Sequence, residues 1–220
     1  MQEFGLYFET GWQHILDWRG YDHILFVTAL CALYLLQDWK KVLVLVTAFT
    51  VGHSITLALS VLSYLHVNRN LIEFLIPVTI LITAFSNIVR KPASPARGIP
   101  GYSSKTGRLK MTYAASAKGG VQLNYFFALF FGLIHGLGFS NYLKSLLGTG
   151  TNIVQPLLAF NLGLECGQIV IVICVLLLAA LVTGVFQVSL RNWCFFISSA
   201  IFGVALQMVI ERGYVLATAN

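Results

Sequence analysis

Val42–Leu65 reads VLVLVTAFTVGHSITLALSVLSYL, an apolar run long enough to cross a bilayer as a helix, which takes about 20 residues. His53 sits in its middle, inside Phe49–Thr56, FTVGHSIT. An imidazole among lipid-facing side chains is costly unless it has polar partners. The rest of the chain repeats the pattern: Asp22-His23 opens another apolar run, His135 lies within FGLIHGLGF, and Glu165 lies within FNLGLECGQ. Four polar interruptions in four apolar segments predict one shared site.

Composition sets the class. Hydrophobic residues make up 57 % of the chain and charged residues 10 %, with a mean hydropathy of +0.79; soluble domains carry about 25 % charged residues. The reading is an all-α integral membrane protein, one domain of about six spans over its 220 residues. The start, MQEFGLYFETGWQHILDW, lacks the basic lead, apolar core and small-residue cleavage site of a secretory signal, so the first span is expected to act as its own insertion signal. Cys31, Cys166, Cys174 and Cys194 all lie in apolar segments without CxxC spacing and read as small core residues.

Residues 1–18 scatter Phe4, Tyr7, Phe8, Trp12 and Trp18 among polar residues, which suits a helix lying in the membrane interface. Spans are expected over about 20–36, 42–65, 71–89, 121–142, 154–182 and 193–210. The fifth exceeds a straight crossing, which predicts a tilt or a break near Pro156 or Gly163. Between the third and fourth, residues 90–119 hold Pro92, Pro95, Pro100 and seven basic residues without an acid, a polar loop.

With both termini outside, the inner side carries Lys40, Lys41, Arg90, Lys91, Arg97, Lys105, Arg108, Lys110, Lys118 and Arg191. The outer side then carries only Arg19, Arg69, Lys144 and Arg212. That bias is the positive-inside pattern. The net charge of +6 therefore reads as topology, with the basic loop cytoplasmic and touching lipid headgroups; no nucleic-acid partner is implied. On this topology His53 lies about 18 Å below the outer end of its helix, Asp22 and His23 lie near the outer end of theirs, and His135 and Glu165 fall between. A cavity opening outward gathers all of them.

Imidazoles with carboxylates are the ligand set of borderline divalent cations such as Ni²⁺, Co²⁺ and Zn²⁺. The metal ligands expected are His23, His53, His135, Glu165 and Asp22, and Asp22 is suited to hold the second ring nitrogen of a ligating histidine. His14 is close enough to Asp22-His23 in the chain to fold back over the site. Asn161, Glu165 and Gln168 recur at i, i+4 and i+7, one stripe of a continuous helix; with Ser54 on the polar side of the second span, Asn161 and Gln168 supply a supporting shell. Gly132 and Gly136 bracket His135 as GxxxG and let a neighbouring helix come close, as Gly52 does beside His53. Each feature has a plainer reading: the glycines as packing, Asn161 and Gln168 as interhelical hydrogen bonds, His66 as an exposed loop residue and Glu73 as a snorkelling carboxylate.

HILDWRGYDHILF, FTVGHSITLAL, FGLIHGLGF and FNLGLECGQ, in this order and over most of the chain, resemble the HupE/UreJ membrane proteins. The resemblance implies six spans, a nickel or cobalt permease activity, a bacterial inner membrane, and polar motif positions at Asp22, His23, His53, His135 and Glu165. Two function classes stay open. In the first, a divalent cation enters from outside, is held by the histidines and Glu165, and is released inward; the inner halves of the spans offer few polar residues beyond Ser86, Asn87, Asn124 and Gln187. In the second, three histidines hold Zn²⁺ with water in an open position, and Glu165 or Asp22 is the general base of an intramembrane hydrolase acting on a lipid or membrane peptide. A lesser reading is a metal-sensing or assembly subunit with a structural ion. The GxxxG motif and the basic loop suit a homo-oligomer contact as well as internal packing.

Overall fold

The computed structural model describes residues 2–18, 20–65, 67–90, 118–147 and 153–219. His66, most of the basic loop and most of the LLGTGTN link lie outside these. The described residues form helices α1 (Gln2–Leu16), α2 (Asp22–Cys31), α3 (Trp39–Val61), α4 (Arg69–Val89), α5 (Lys118–Leu147), α6 (Val154–Gly184) and α7 (Leu190–Thr218), with a 3-10 turn at Leu36–Asp38 before α3. Among them four stretches are long and apolar enough to cross a membrane: Leu36–Val61, α4, α6 and α7. The protein is an integral membrane protein. In this solvent every backbone polar group must be satisfied within its own segment, which is why helices carry the whole fold.

The segment expected as the first span is not one long helix. Only Asp22–Cys31 is helical, about 15 Å of rise against a hydrocarbon core of about 30 Å. It has α1 ahead of it, and the two run in the same direction. Along α5 the contacts step in order: Tyr34 meets Asn124, the Phe26 ring meets Phe131, His23 meets His135, and His14 meets Phe139. α1 and α2 are thus two helical pieces, the first ending at Leu16 and the second starting at Asp22. α2 stops at Cys31, which leaves the carbonyls of its last turn without intrahelical partners, and Asn87 Nδ2 on α4 donates to the Ala29 carbonyl at 2.8 Å.

Two close parallel seams organise the remainder. Gly52 on α3 lies against the Leu129 carbonyl of α5, and Gly132 and Gly136 on α5 lie against the Phe49 and His53 carbonyls of α3. A side chain at any of these would drive into backbone. Gly11 on α1 and Gly163 on α6 meet the Phe160 and Phe8 carbonyls in the same way. α1 is therefore docked lengthwise along the first half of α6. The sequence suggests an interfacial helix; in the structure its axis follows a spanning helix. α4 and α7 pair antiparallel, with Glu73 bound by Arg69 Nε at 2.6 Å and by Arg212 at one end, and Phe85 against Phe202 further along. These directions bring both termini to the same end of the bundle.

Two further expectations change. α6 runs unbroken for 31 residues; Pro156 sits in its first turn, where a missing N–H leaves no bond unmade, and Gly163 serves the seam with α1 rather than a kink. Cys31 and Cys194 are buried, as expected, but Cys166 and Cys174 are exposed on α6. Not every glycine is packed so tightly: Gly203 in α7 has nothing near its Cβ position. Gly203→Ala is expected to be neutral or to stabilise by up to about 1 kcal/mol through helix propensity alone, read from the unfolding midpoint in detergent.

Candidate metal centre

The interruption between α1 and α2 builds the site. His14 lies in the last turn of α1 and His23 in the first turn of α2, so the break turns both towards His53 in the middle of α3. Each offers one ring nitrogen, and these nitrogens all lie within 4.8 Å of one another, a spacing that a small side-chain adjustment closes onto one ion. The rings stand 4.7 Å (His14 to His23), 6.1 Å (His14 to His53) and 6.1 Å (His23 to His53) apart between centroids. His135 on α5 joins from the far side, 5.2 Å from His23.

Hydrogen bonding sets the tautomers. Asp22 Oδ1 accepts the His23 backbone N–H at 3.0 Å and lies 3.2 Å from His23 Nδ1. A carboxylate only accepts, so Nδ1 carries the proton and the Nε2 lone pair is left free. This is the carboxylate–imidazole arrangement found behind metal ligands, and it is the part anticipated for Asp22. The His135 Nδ1 donates to the Phe131 carbonyl at 2.8 Å, which by the same reasoning frees its Nε2. The buried Nε2 atoms of His14, His23 and His135 and both ring nitrogens of His53 have no hydrogen-bond partner.

Such orphaned buried groups are rare and costly. Their concentration on imidazole nitrogens in one place fits a cation. The walls are aromatic: Phe49 lies 5.1 Å from His135, Phe160 stacks on His53 at 6.2 Å, and Phe139 packs on His14 at 3.9 Å. They exclude other polar partners and hold the rings in place.

The rest of the expected set is placed elsewhere. Glu165 accepts from the Thr47 hydroxyl at 2.8 Å, two helical turns along α3 from His53 and outside the histidine group. Gln168 accepts from Thr50 at 2.8 Å, with its Nε2 buried and unpartnered. Asn161 also has a buried, unpartnered side-chain oxygen, whereas Ser54 donates to its own helix at the Thr50 carbonyl. Glu73 belongs to the α4–α7 clasp. The sequence places Thr50 on the polar side of the second span with His53, Ser54 and Thr56, but its reading missed Thr47 and Phe139. The i, i+3 spacing of Thr47 and Thr50 was a signal for the first; nothing local marked Phe139.

A family model described as HupE / UreJ protein matches residues 1–212. The chain belongs to the HupE/UreJ family. The matched range takes in all four motif segments, α1 included, so the histidine of α1 lies inside the HupE/UreJ unit rather than on an appended arm. Neither a curated protein nor a solved structure matches the chain.

Proposed function

We propose that this HupE/UreJ protein is a membrane permease for a divalent transition-metal ion, nickel or cobalt foremost and zinc by the same donor chemistry. The ion is held by His14, His23 and His53, with Asp22 orienting His23 and His135 adjoining. The observation that carries the reading is the convergence of three imidazoles from three separate helices with their inward nitrogens unpartnered. Neutral nitrogen donors select borderline cations over Mg²⁺ or Ca²⁺, which favour oxygen. Family membership supports a transport-related role.

The hydrolytic reading finds less support, because both of its candidate bases are engaged. Asp22 is bound to His23, and Glu165 is bonded to Thr47, away from the histidines. Asn87 and Asn124, among the few polar residues of the inner halves, are also spoken for. Asn87 holds the end of α2, and Asn124 bridges Arg90 and Tyr34. Release on that side therefore requires these contacts to part.

Protein in liposomes is expected to accumulate Ni²⁺ or Co²⁺, more slowly as the pH falls, because protons compete for the lone pairs the ion needs. Isotope uptake across a pH series checks both points. Stoichiometric binding without flux would overturn transport in favour of a structural or sensing ion.

A further inference from the structure

Granted the histidine site proposed above, its ion needs a way in, and the cluster is closed on most sides. His53 is fully buried, and His23 and His135 nearly so; His14 alone is half-buried. His14 lines a cavity of about 530 Å³ between α1 and the last turns of α5, together with Thr10, Gln13, Asp17, Phe139 and Tyr142. Its Nε2 is fully buried and has no hydrogen-bond partner. One residue thus borders the cavity and holds a nitrogen in the interior.

The packing explains why this cleft exists. α1 is fastened to α6 through Gly11 and Gly163 and scarcely touches α5. Phe139 stands where the cavity meets the cluster: it lines the cavity, and its ring lies 3.9 Å from His14, 5.0 Å from Tyr142 and 5.0 Å from Phe160. The lining suits a partly hydrated cation: a carboxylate, an amide and a hydroxyl at the mouth, and the first imidazole at its floor. The neighbouring cavity of about 320 Å³ at the same end of the bundle is lined by Arg69 and Lys144 and repels such an ion.

We propose that the cleft between α1 and the end of α5 is the mouth through which a divalent cation reaches the histidines, with His14 the first ligand it meets and Phe139 the door behind it. A side chain that plugs the mouth must slow arrival and departure alike, because it lies on the route and not at the site. Widening the door must speed both. In the plugged protein the equilibrium affinity, set by the histidines, stays as it was.

The test uses the full chain in detergent, with the exposed thiols removed by Cys166→Ala and Cys174→Ala. Gln13→Cys is coupled to a bulky neutral maleimide, and Ni²⁺ association and dissociation are followed by stopped flow. Both rates are expected to fall about tenfold or more while affinity stays within about twofold. The same label on Tyr64→Cys, at the same end but outside the cleft, changes neither rate. Phe139→Ala is expected to raise both. Unchanged rates in labelled Gln13→Cys, with Ni²⁺ still bound, overturn the mouth and leave the histidine site standing. Absence of Ni²⁺ binding in the unlabelled protein overturns the histidine site, and the mouth falls with it.

Discussion

His53→Leu is expected to abolish Ni²⁺ and Co²⁺ binding while leaving the metal-free protein at least as stable as the parent. His53 is fully buried, and neither ring nitrogen has a partner. An unsatisfied buried polar group costs about 1–3 kcal/mol, and leucine fills a similar volume without that cost, so the apo melting point rises or holds. The parent, by contrast, gains about 2.7 kcal/mol at a metal concentration one hundred times Kd, and the variant gains nothing. Thermal scans with and without Ni²⁺ read both effects at once. A leucine variant whose apo form loses several kcal/mol would mean that His53 is a structural hydrogen-bonding residue.

The second large effect is at the α3–α5 seam. Gly132→Ala adds one methyl, yet that methyl runs into the Phe49 carbonyl and comes 3.1 Å from the His53 backbone nitrogen. The obstacle is backbone, which no rotamer change can move, so the two helices must separate along the seam. We expect a loss of about 3 kcal/mol, the upper end of overpacking costs, outweighing the gain in helix propensity. Because the seam carries both His53 and His135, metal affinity falls in parallel. Unfolding midpoints and Ni²⁺ titration measure the pair of effects, with Gly203→Ala as the contrast. A Gly132→Ala protein that matches the parent in both would place the helices further apart than this structure does.

Much of this was legible in the chain because the bilayer simplifies the code. Apolar runs of span length announce helices, and any imidazole inside one demands an explanation; His23 and His53 were found that way. The pairing of Asp22 with His23 was legible because the two are adjacent and the chemistry of a ligating histidine asks for a carboxylate. Less was legible where helical continuity had to be assumed. A 31-residue α6 looked too long to be straight, yet Pro156 falls where a helix tolerates it. The run over 20–36 looked like a span, yet it is ten residues of helix preceded by a break.

Glu165 shows the other limit. It shares a stripe with Asn161 and Gln168, and that stripe does face α3. Which level of α3 it meets depends on how the two helices cross, and the crossing brings it to Thr47, not to His53. His14 shows the converse. Its distance in the chain from Asp22 gives no helical phase, because the helix does not continue from Leu16 to Asp22, and only the docking of α1 on α6 turns it to the cluster.

By itself, the sequence determined that this protein is helical, embedded in a membrane, and carries imidazoles inside its apolar segments. These follow from side-chain transfer energies and local periodicity, which are properties of short segments. Which imidazoles lie together, and which of them borders a cavity, were decided only by tertiary structure. Both depend on backbones brought together at Gly11, Gly52, Gly132 and Gly163, contacts between residues too far apart in the chain for any local pattern to encode.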